Sequence, residues 1–129
     1  MIKILVNKQS NYPVNSPSLK KKLKTYFEKQ GIVSDSLASV SIVGKKKMIA
    51  LAKQYLNEDN VLHNVLSFRE RETKKEFVYP PGDVIYLGEI VISFDKAAEE
   101  ANKENKLIDD KIHELAEHGA GHLMGIHHE

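Results

Sequence analysis

The side chains of this 129-residue chain that could do chemistry are mainly its histidines, because five of the six fall within the last 17 residues. His118, His122 and His128 form the pattern H-x3-H-x2-G-x2-H, with Gly125 at the glycine position. On a helix, residues four apart lie on one face with Cβ atoms about 5–6 Å apart. Two imidazoles at this spacing can therefore each direct a nitrogen at the same metal ion.

A third ligand has to come from beyond the helix, since a straight helix cannot supply one from position 128. Glycine adopts a positive φ readily at a helix end, so Gly125 can reverse the chain and return His128 to the same point. Three neutral imidazoles leave one coordination position open, which is the pattern of a catalytic zinc site. The predicted cofactor is one zinc ion, although imidazole also accepts nickel, copper or iron. We interpret His118, His122 and His128 as the metal ligands and the catalytic residues.

The same spacing occurs in the metal-binding stretch of the metzincin proteases, H-E-x-x-H-x-x-G-x-x-H. There the residue after the first histidine is the glutamate that acts as general base, whereas here it is Gly119. Glu114 and Glu117 precede His118 and do not match that position. A minimal metallopeptidase is thus one alternative, and Gly119 argues against it. Glycines at 119 and 121 cost a helix about 1 kcal/mol each, which predicts a close backbone approach or room at the metal.

Three further titratable side chains allow two interpretations each. Glu114 lies one helical turn before His118 and could orient its second ring nitrogen, or it could be a solvated carboxylate on the helix surface. For His113 and His63, a place on the surface or in packing is favoured over a role as ligand.

Charge is distributed unevenly along the chain. Residues 1–53 hold eleven lysines against two acidic residues, whereas residues 54–129 hold eight basic and sixteen acidic residues. The lysines concentrate in Lys20–Lys22 with Lys24 and in Lys45–Lys47. Such asymmetry indicates an anionic partner for the basic segment, and solvated helix faces are the alternative. No aromatic residues accompany the lysines as a stacking platform for a single strand.

The composition excludes several classes of protein. With no cysteine, the chain cannot form a disulfide, a thiolate zinc site or an iron–sulfur cluster. Its apolar runs are too short to span a bilayer, and the first residues lack the apolar region of a signal peptide. We expect a cytoplasmic protein with no membrane or disulfide-linked partner, folded as one domain over residues 1–129.

Periodicity predicts the element order β-α-β-α-β-β-α-α. The strands are predicted at residues 2–6, 37–43, 65–68 and 86–93. The helices are predicted at residues 17–30, about 48–56, 96–103 and 107 or 108–124. Ser16 and Pro17 signal the start of the first helix, and Ser93 or Asp95 caps the third. We expect an α/β (α+β) fold, with a mixed sheet of about four strands layered with helices and the metal site on the C-terminal helix.

Three segments together resemble the YbeY family of bacterial endoribonucleases and rRNA maturation factors. Residues 118–128, H-G-A-G-H-L-M-G-I-H-H, are similar to its signature H-G-x-x-H-L-x-G-[YF]-D-H. Residues 64–68 resemble its [DN]-V-L-S-F strand, and residues 87–93 resemble its L-G-D-I-V-I-S strand. The likeness covers about residues 48–128.

The resemblance implies a mixed sheet against helices and a zinc-type ion held by the three histidines. It implies a metal-dependent endoribonuclease specific for single-stranded rRNA, with a role in 3′-end maturation of small-subunit (16S) rRNA and in ribosome quality control. The implied partners are rRNA and the small ribosomal subunit. A second hypothesis is a ribosome-associated RNA-binding factor whose metal is structural and which has little or no catalysis.

The chain departs from the family pattern at two positions. His127 stands where the family has Asp before its last ligand, and Leu56 follows Tyr55 where the family has Arg. Cations that could attract the RNA backbone must therefore come from elsewhere. The candidate RNA-binding residues are Lys45, Lys46, Lys47, Lys53 and Arg69. Ser67 and Arg69 could line the metal cleft, or they could be an ordinary strand end and a surface arginine.

Overall fold

A four-stranded sheet forms the frame of the computed structural model, which describes residues 1–9, 11–69 and 84–125. The strands are β1 (Ile2–Lys8), β2 (Ser36–Val43), β3 (Val65–Phe68) and β4 (Ile85–Ser93). The helices are α1 (Ser16–Lys29), α2 (Lys45–Leu56), α3 (Phe94–Lys103) and α4 (Ile108–Leu123). The predicted element order is therefore confirmed.

The strands are arranged in the order β1-β2-β4-β3. β2 pairs in parallel with β1 and with β4, whereas β3 is antiparallel to β4. Parallel neighbours need a crossover connection, and α1 supplies it between β1 and β2. The predicted mixed sheet of an α+β fold is confirmed.

Each face of the sheet has its own apolar core, because successive side chains of a strand point to opposite faces. The larger core joins one face to α1 and α4, with fully buried Leu23 and Phe27 against Val40, Ile90 and Ile112. The smaller core lies under α2 on the other face. It consists of Met48, Leu51, Phe68 and Val91.

The helix starts differ from the predicted ones. α1 is capped by Asn15, whose side-chain oxygen accepts a hydrogen bond from the backbone N–H of Ser18 at 3.1 Å. α2 begins three residues early, at Lys45, although the positive end of a helix dipole disfavours lysines there. The carboxylate of Asp95, on α3, compensates by accepting a hydrogen bond from the backbone N–H of Lys45 at 2.9 Å. Since Asp95 is distant in sequence, local pattern could not indicate this start.

The position of α4 on the sheet depends on a close approach. A Cβ atom placed on Gly119 would lie 2.7 Å from Cγ2 of Ile90 on β4, closer than atoms pack. The close backbone approach predicted from the helical glycines is thus present at Gly119. Further along, the side chain of Leu123 lies against Gly88, so that the C-terminal end of α4 covers the first half of β4.

Candidate functional site

The C-terminal half of α4 presents two exposed imidazoles on adjacent turns. The ring centroids of His118 and His122 are 5.9 Å apart, and the ring planes are inclined by 58°. The spacing of four residues therefore places both rings on one side of the helix, as predicted. Their role as metal ligands stays a prediction.

The end of α4 has the turn that Gly125 predicts. Gly125 has a φ of +77°, and its N–H donates to the carbonyl of His122 at 3.0 Å. A residue with a side chain would be strained in this left-handed conformation. The chain therefore turns directly after the helix that carries the two imidazoles.

The third predicted ligand, His128, lies outside the described residues, as does the neighbouring His127. Within residues 1–9, 11–69 and 84–125, no three His, Asp, Glu or Cys side chains are grouped closely enough to hold a metal ion. The two imidazoles of α4 fit a transition metal in donor type and in spacing along the helix. They leave at least one ligand to come from elsewhere.

Arg69 is brought to the same helix end from the neighbouring strand. It follows β3, and its Nη2 donates a hydrogen bond to the carbonyl of His122 at 3.2 Å. A Cβ atom on Gly125 would lie 3.0 Å from that nitrogen, so glycine leaves room for the guanidinium. A cation is favourable at the negative end of a helix dipole. The structure thus places Arg69 beside the backbone of His122, and its part in lining a metal cleft stays a prediction.

Ser67 lies on the α4 side of the sheet. It pairs with Ile90, and it points to the same face as Val65, two residues earlier. Val65 contributes the methyl group nearest to position 119 from β3, at 3.4 Å from a Cβ built there. Ser67 is partly exposed.

The end of α2 is connected to this region through aromatic packing. The rings of Tyr55 and Phe68 have centroids 4.6 Å apart. Leu56, which stands where the family has Arg, is 46% exposed. Phe68 packs on the α2 side of the sheet, whereas Arg69, the next residue, reaches the end of α4.

Three of the predicted lysines lie elsewhere. Lys45–Lys47 form the exposed first turn of α2, and the contact from Lys45 to Asp95 puts that turn at the C-terminal end of β4. The histidine-bearing end of α4 covers the opposite end of β4. Lys53 is exposed, and its ammonium donates to the Asp59 carboxylate at 2.5 Å. Their contact with RNA stays a prediction.

Glu114 belongs to a network of ion pairs. Its carboxylate accepts a hydrogen bond from Lys106 at 2.9 Å and lies 3.3 Å from the ammonium of Lys111. The hydrogen bond from Lys106 lowers the pKa of Glu114, with burial opposing and Lys111 adding to the effect. These contacts favour the interpretation of Glu114 as a carboxylate of the helix surface.

The other two histidines occupy packing positions. His113 is buried, and neither of its ring nitrogens has a hydrogen-bond partner within the described part of the chain. Burial lowers its pKa, and the charge of Lys22 lowers it further. His63 is half-buried, with Nε2 2.6 Å from the carboxylate of Glu58.

One charged surface was not assigned to the site from the sequence. Exposed lysines lie along α1, and α1 packs beside α4. Lys22 and Lys29 are seven residues apart, a spacing that places them on one side of a helix. The spacing of these lysines was visible in the sequence, but the sequence did not show which helix packs next to α1.

None of the helices in the described ranges combines the length and apolarity that crossing a membrane requires. The chain also has no cysteine for a disulfide.

Comparisons with known proteins point to one family. The family described as endoribonuclease YbeY matches residues 4–129. A protein of that name from Thermus thermophilus is 33% identical over 113 residues, which span 88% of this chain and 76% of the relative. Another, from Geobacter metallireducens, is 30% identical over 125 residues, spanning 97% and 79% of the two chains.

The fold is also found in a solved structure. The solution structure of a Thermotoga maritima protein superposes with a TM-score of 0.56 at 24% identity, covering all of this chain and 75% of the other. Fold, sequence motifs and overall similarity agree, and the chain belongs to the endoribonuclease YbeY family.

Proposed function

We propose that this protein is a metal-dependent endoribonuclease that cleaves single-stranded rRNA during 3′-end maturation of small-subunit rRNA and in ribosome quality control. Membership of the family and the names of the relatives support endoribonuclease activity. The observation that carries the proposal is the pair of exposed imidazoles, His118 and His122, with a guanidinium beside them.

The cofactor of this proposal is one zinc-type ion held by His118, His122 and His128. When bound, such an ion supplies Lewis-acid stabilisation of negative charge. The residues described here provide two imidazoles on a rigid helix, which suits the demand that ligands be held in place.

The remaining chemistry falls to the side chains around the helix end. Cleavage of a phosphodiester accumulates negative charge on the phosphoryl oxygens, and cations directed at that charge lower the barrier. Arg69 has its charge next to His122, where it attracts a phosphate group of the substrate. Its planar guanidinium suits phosphate better than an ammonium does, so Arg69 is the candidate phosphate contact at this end of α4.

A second candidate function is an RNA-binding factor of the small ribosomal subunit in which the metal is structural. Leu56 in place of the family's arginine favours it, since a phosphate-facing cation is absent from that position. His127 in place of the family's aspartate favours it too, because a carboxylate there would orient a ligand.

Cleavage of a labelled single-stranded RNA, taken from the 3′ end of small-subunit rRNA with its precursor extension, tests the proposal. We expect metal-stripped protein to be inactive and zinc to restore cleavage. His118→Ala should lower the zinc-dependent rate by roughly 100-fold or more, as for loss of a group that stabilises developing charge. His63→Ala is the matched control, because that histidine pairs with Glu58, and it should retain the rate.

Cleavage that persists in His118→Ala or in excess chelator would contradict the proposal. RNA binding by the wild-type protein with no turnover at any zinc concentration would support the RNA-binding factor instead. A duplex of the same sequence should be cleaved more slowly if the preference for single strands is correct.

A further inference from the structure

The outer surface of α1 is strongly basic. The helix carries five exposed lysines: Lys20, Lys21, Lys22, Lys24 and Lys29. Within the described residues none of the five forms an ion pair, whereas Lys96, Lys103, Lys106 and Lys111 of the α3–α4 region all do. Five lysines on one helix, whose single acidic residue is Glu28, indicate a surface for an anionic partner.

α1 and α4 run in the same direction, side by side. The backbone N–H of Asn15, before α1, donates to the Asp109 carboxylate at 3.0 Å. Further along both helices, the charge of Lys22 acts on His113. In the last turns of α1, burial and then the charge of Glu117, in the second half of α4, raise the pKa of Tyr26. The C-terminal half of α1 therefore flanks the half of α4 that bears the histidines.

A groove of about 480 Å³ lies between the two helices, and we call it the α1–α4 groove. Its basic walls are formed by three of the lysines, and hydroxyl groups lie among them. The lining includes Lys21, Lys22, Lys29, Thr25, Tyr26 and, from α4, Glu117. Lysine and hydroxyl side chains are the usual contacts of proteins to phosphate and sugar oxygens.

One residue of the groove is adjacent in sequence to the first of the two histidines on α4. Glu117, the acidic residue of its lining, directly precedes His118 in the sequence. From His118 to Gly125 the chain contains no acidic residue. Beyond Glu117 no carboxylate on α4 therefore separates the basic groove from the exposed imidazoles of His118 and His122.

We propose that the α1–α4 groove binds the sugar–phosphate backbone of single-stranded RNA and leads it to the histidines of α4. This inference rests on the proposed function for its substrate. RNA is favoured over an acidic protein because three lysines and the hydroxyl groups of Thr25 and Tyr26 line the groove, and such side chains are the usual contacts to phosphate and sugar oxygens. Recognition is of backbone rather than sequence, as expected for lysines.

The test compares two matched pairs of substitutions on α1. Lys22→Gln with Lys29→Gln removes two charges from the groove. Lys20→Gln with Lys24→Gln removes two from the other flank, where Lys24 lines a separate cavity with Met1 and Glu28. All four lysines are exposed, so neither pair should alter folding, and circular dichroism checks this.

Binding of a fluorescent single-stranded RNA of mixed sequence is measured by anisotropy with metal-free protein over a series of KCl concentrations. The groove pair should weaken binding roughly 10-fold at low salt and reduce the slope of log affinity against log salt by about 1.4, since each lost contact to a single strand removes about 0.7. The flank pair should change affinity less than about 2-fold.

Equal losses in the two pairs, or no loss in the groove pair, would overturn the inference. Binding of the wild-type protein to a polyglutamate peptide but not to RNA would also overturn it, in favour of an acidic protein. Because this assay uses no metal and no cleavage, its outcome is separate from that of the proposed function. If the groove pair left RNA cleavage unchanged, only the proposed role of the groove would be contradicted. If RNA binding depended on the groove but no cleavage occurred, only the proposed nuclease activity would be contradicted.

Discussion

The two halves of α4 differ in their contacts and in the exposure of their side chains. In the first half the buried Lys111 has its ammonium 2.9 Å from Glu104 and 3.6 Å from Glu100, both contributed from the α3 side. In the second half His118 and His122 are exposed, and glycine replaces larger residues. The first half attaches the helix to its neighbours, and the second half leaves side chains accessible to a ligand. Both halves belong to one continuous helix.

The charge of the buried Lys111 is stabilised by the carboxylates around it. Burial lowers the pKa of Lys111, but its hydrogen bonds to Glu104 and Glu114 outweigh burial and leave the pKa raised. Its side chain is only 8% exposed, whereas the three carboxylates around it are between 21% and 50% exposed. The neighbouring carboxylates therefore keep Lys111 in its charged form.

The largest effect should come from His122→Ala, which tests whether the second half is reserved for a ligand. Removing one imidazole should weaken zinc binding by more than ~100-fold, since partners that merely orient a ligand already contribute ~10–100-fold. The melting temperature of the metal-free protein should stay the same, because the side chain is exposed. Zinc affinity from competition with a chromophoric chelator, and calorimetry, provide the two readouts. Unchanged zinc affinity in His122→Ala would show that His122 is not a metal ligand.

A smaller effect, confined to stability, is expected for Lys111→Met. Three carboxylates would lose a buried counter-charge, and because they are partly exposed we expect a cost of about 1–3 kcal/mol, below the range for fully buried pairs. Urea denaturation measures it. Lys106→Met is the control, since the more exposed Lys106 pairs with Glu104 and Glu114 as well and should matter less. Altered zinc affinity in Lys111→Met would show that the halves are not independent.

The smallest effect should be a change in pH dependence in His113→Leu. Burial and Lys22 lower the pKa of His113 in the folded state, while Asp109, Asp110 and Glu117 oppose this. The unfolded chain therefore binds the proton more readily, and the folded state loses stability as the pH falls below about 6.5 and through the lower folded pKa. Leucine removes this loss and two unsatisfied nitrogens.

Urea denaturation of metal-free wild-type and His113→Leu protein at pH 7.5 and pH 5 measures the difference. The wild-type protein should lose more stability between the two pH values than the variant does. Equal losses would mean that His113 is hydrated or paired in solution, contrary to its buried position.

The fold was largely predictable because local pattern and packing agree. β3 occurs at 65–68 as predicted, and β4 extends the predicted strand by one residue at its start. Of the two caps proposed for α3, Ser93 is the one used, since its hydroxyl accepts from the N–H of Lys96 at 3.2 Å. The start of α2 escaped prediction because its compensating carboxylate comes from another helix.

The site was predictable only where one helix contains it. The spacing of His118 and His122 was sufficient to place both rings on one side of α4, and Gly125 was sufficient to predict the turn. The roles of the three metal histidines and of Lys45–Lys47 remain predictions. The position of Lys45–Lys47 at the far end of β4 could not be read from the sequence, because it depends on strand order.

By itself the sequence determined the helix, the paired imidazoles and the glycine at its end, because these depend on intervals of three to four residues along one chain. Tertiary structure alone decided that Arg69 lies beside His122, that Ile90 requires glycine at position 119, and that α1 lies next to α4. Such contacts join residues far apart in sequence. Their partners are selected by the packing of whole faces, which no local interval specifies.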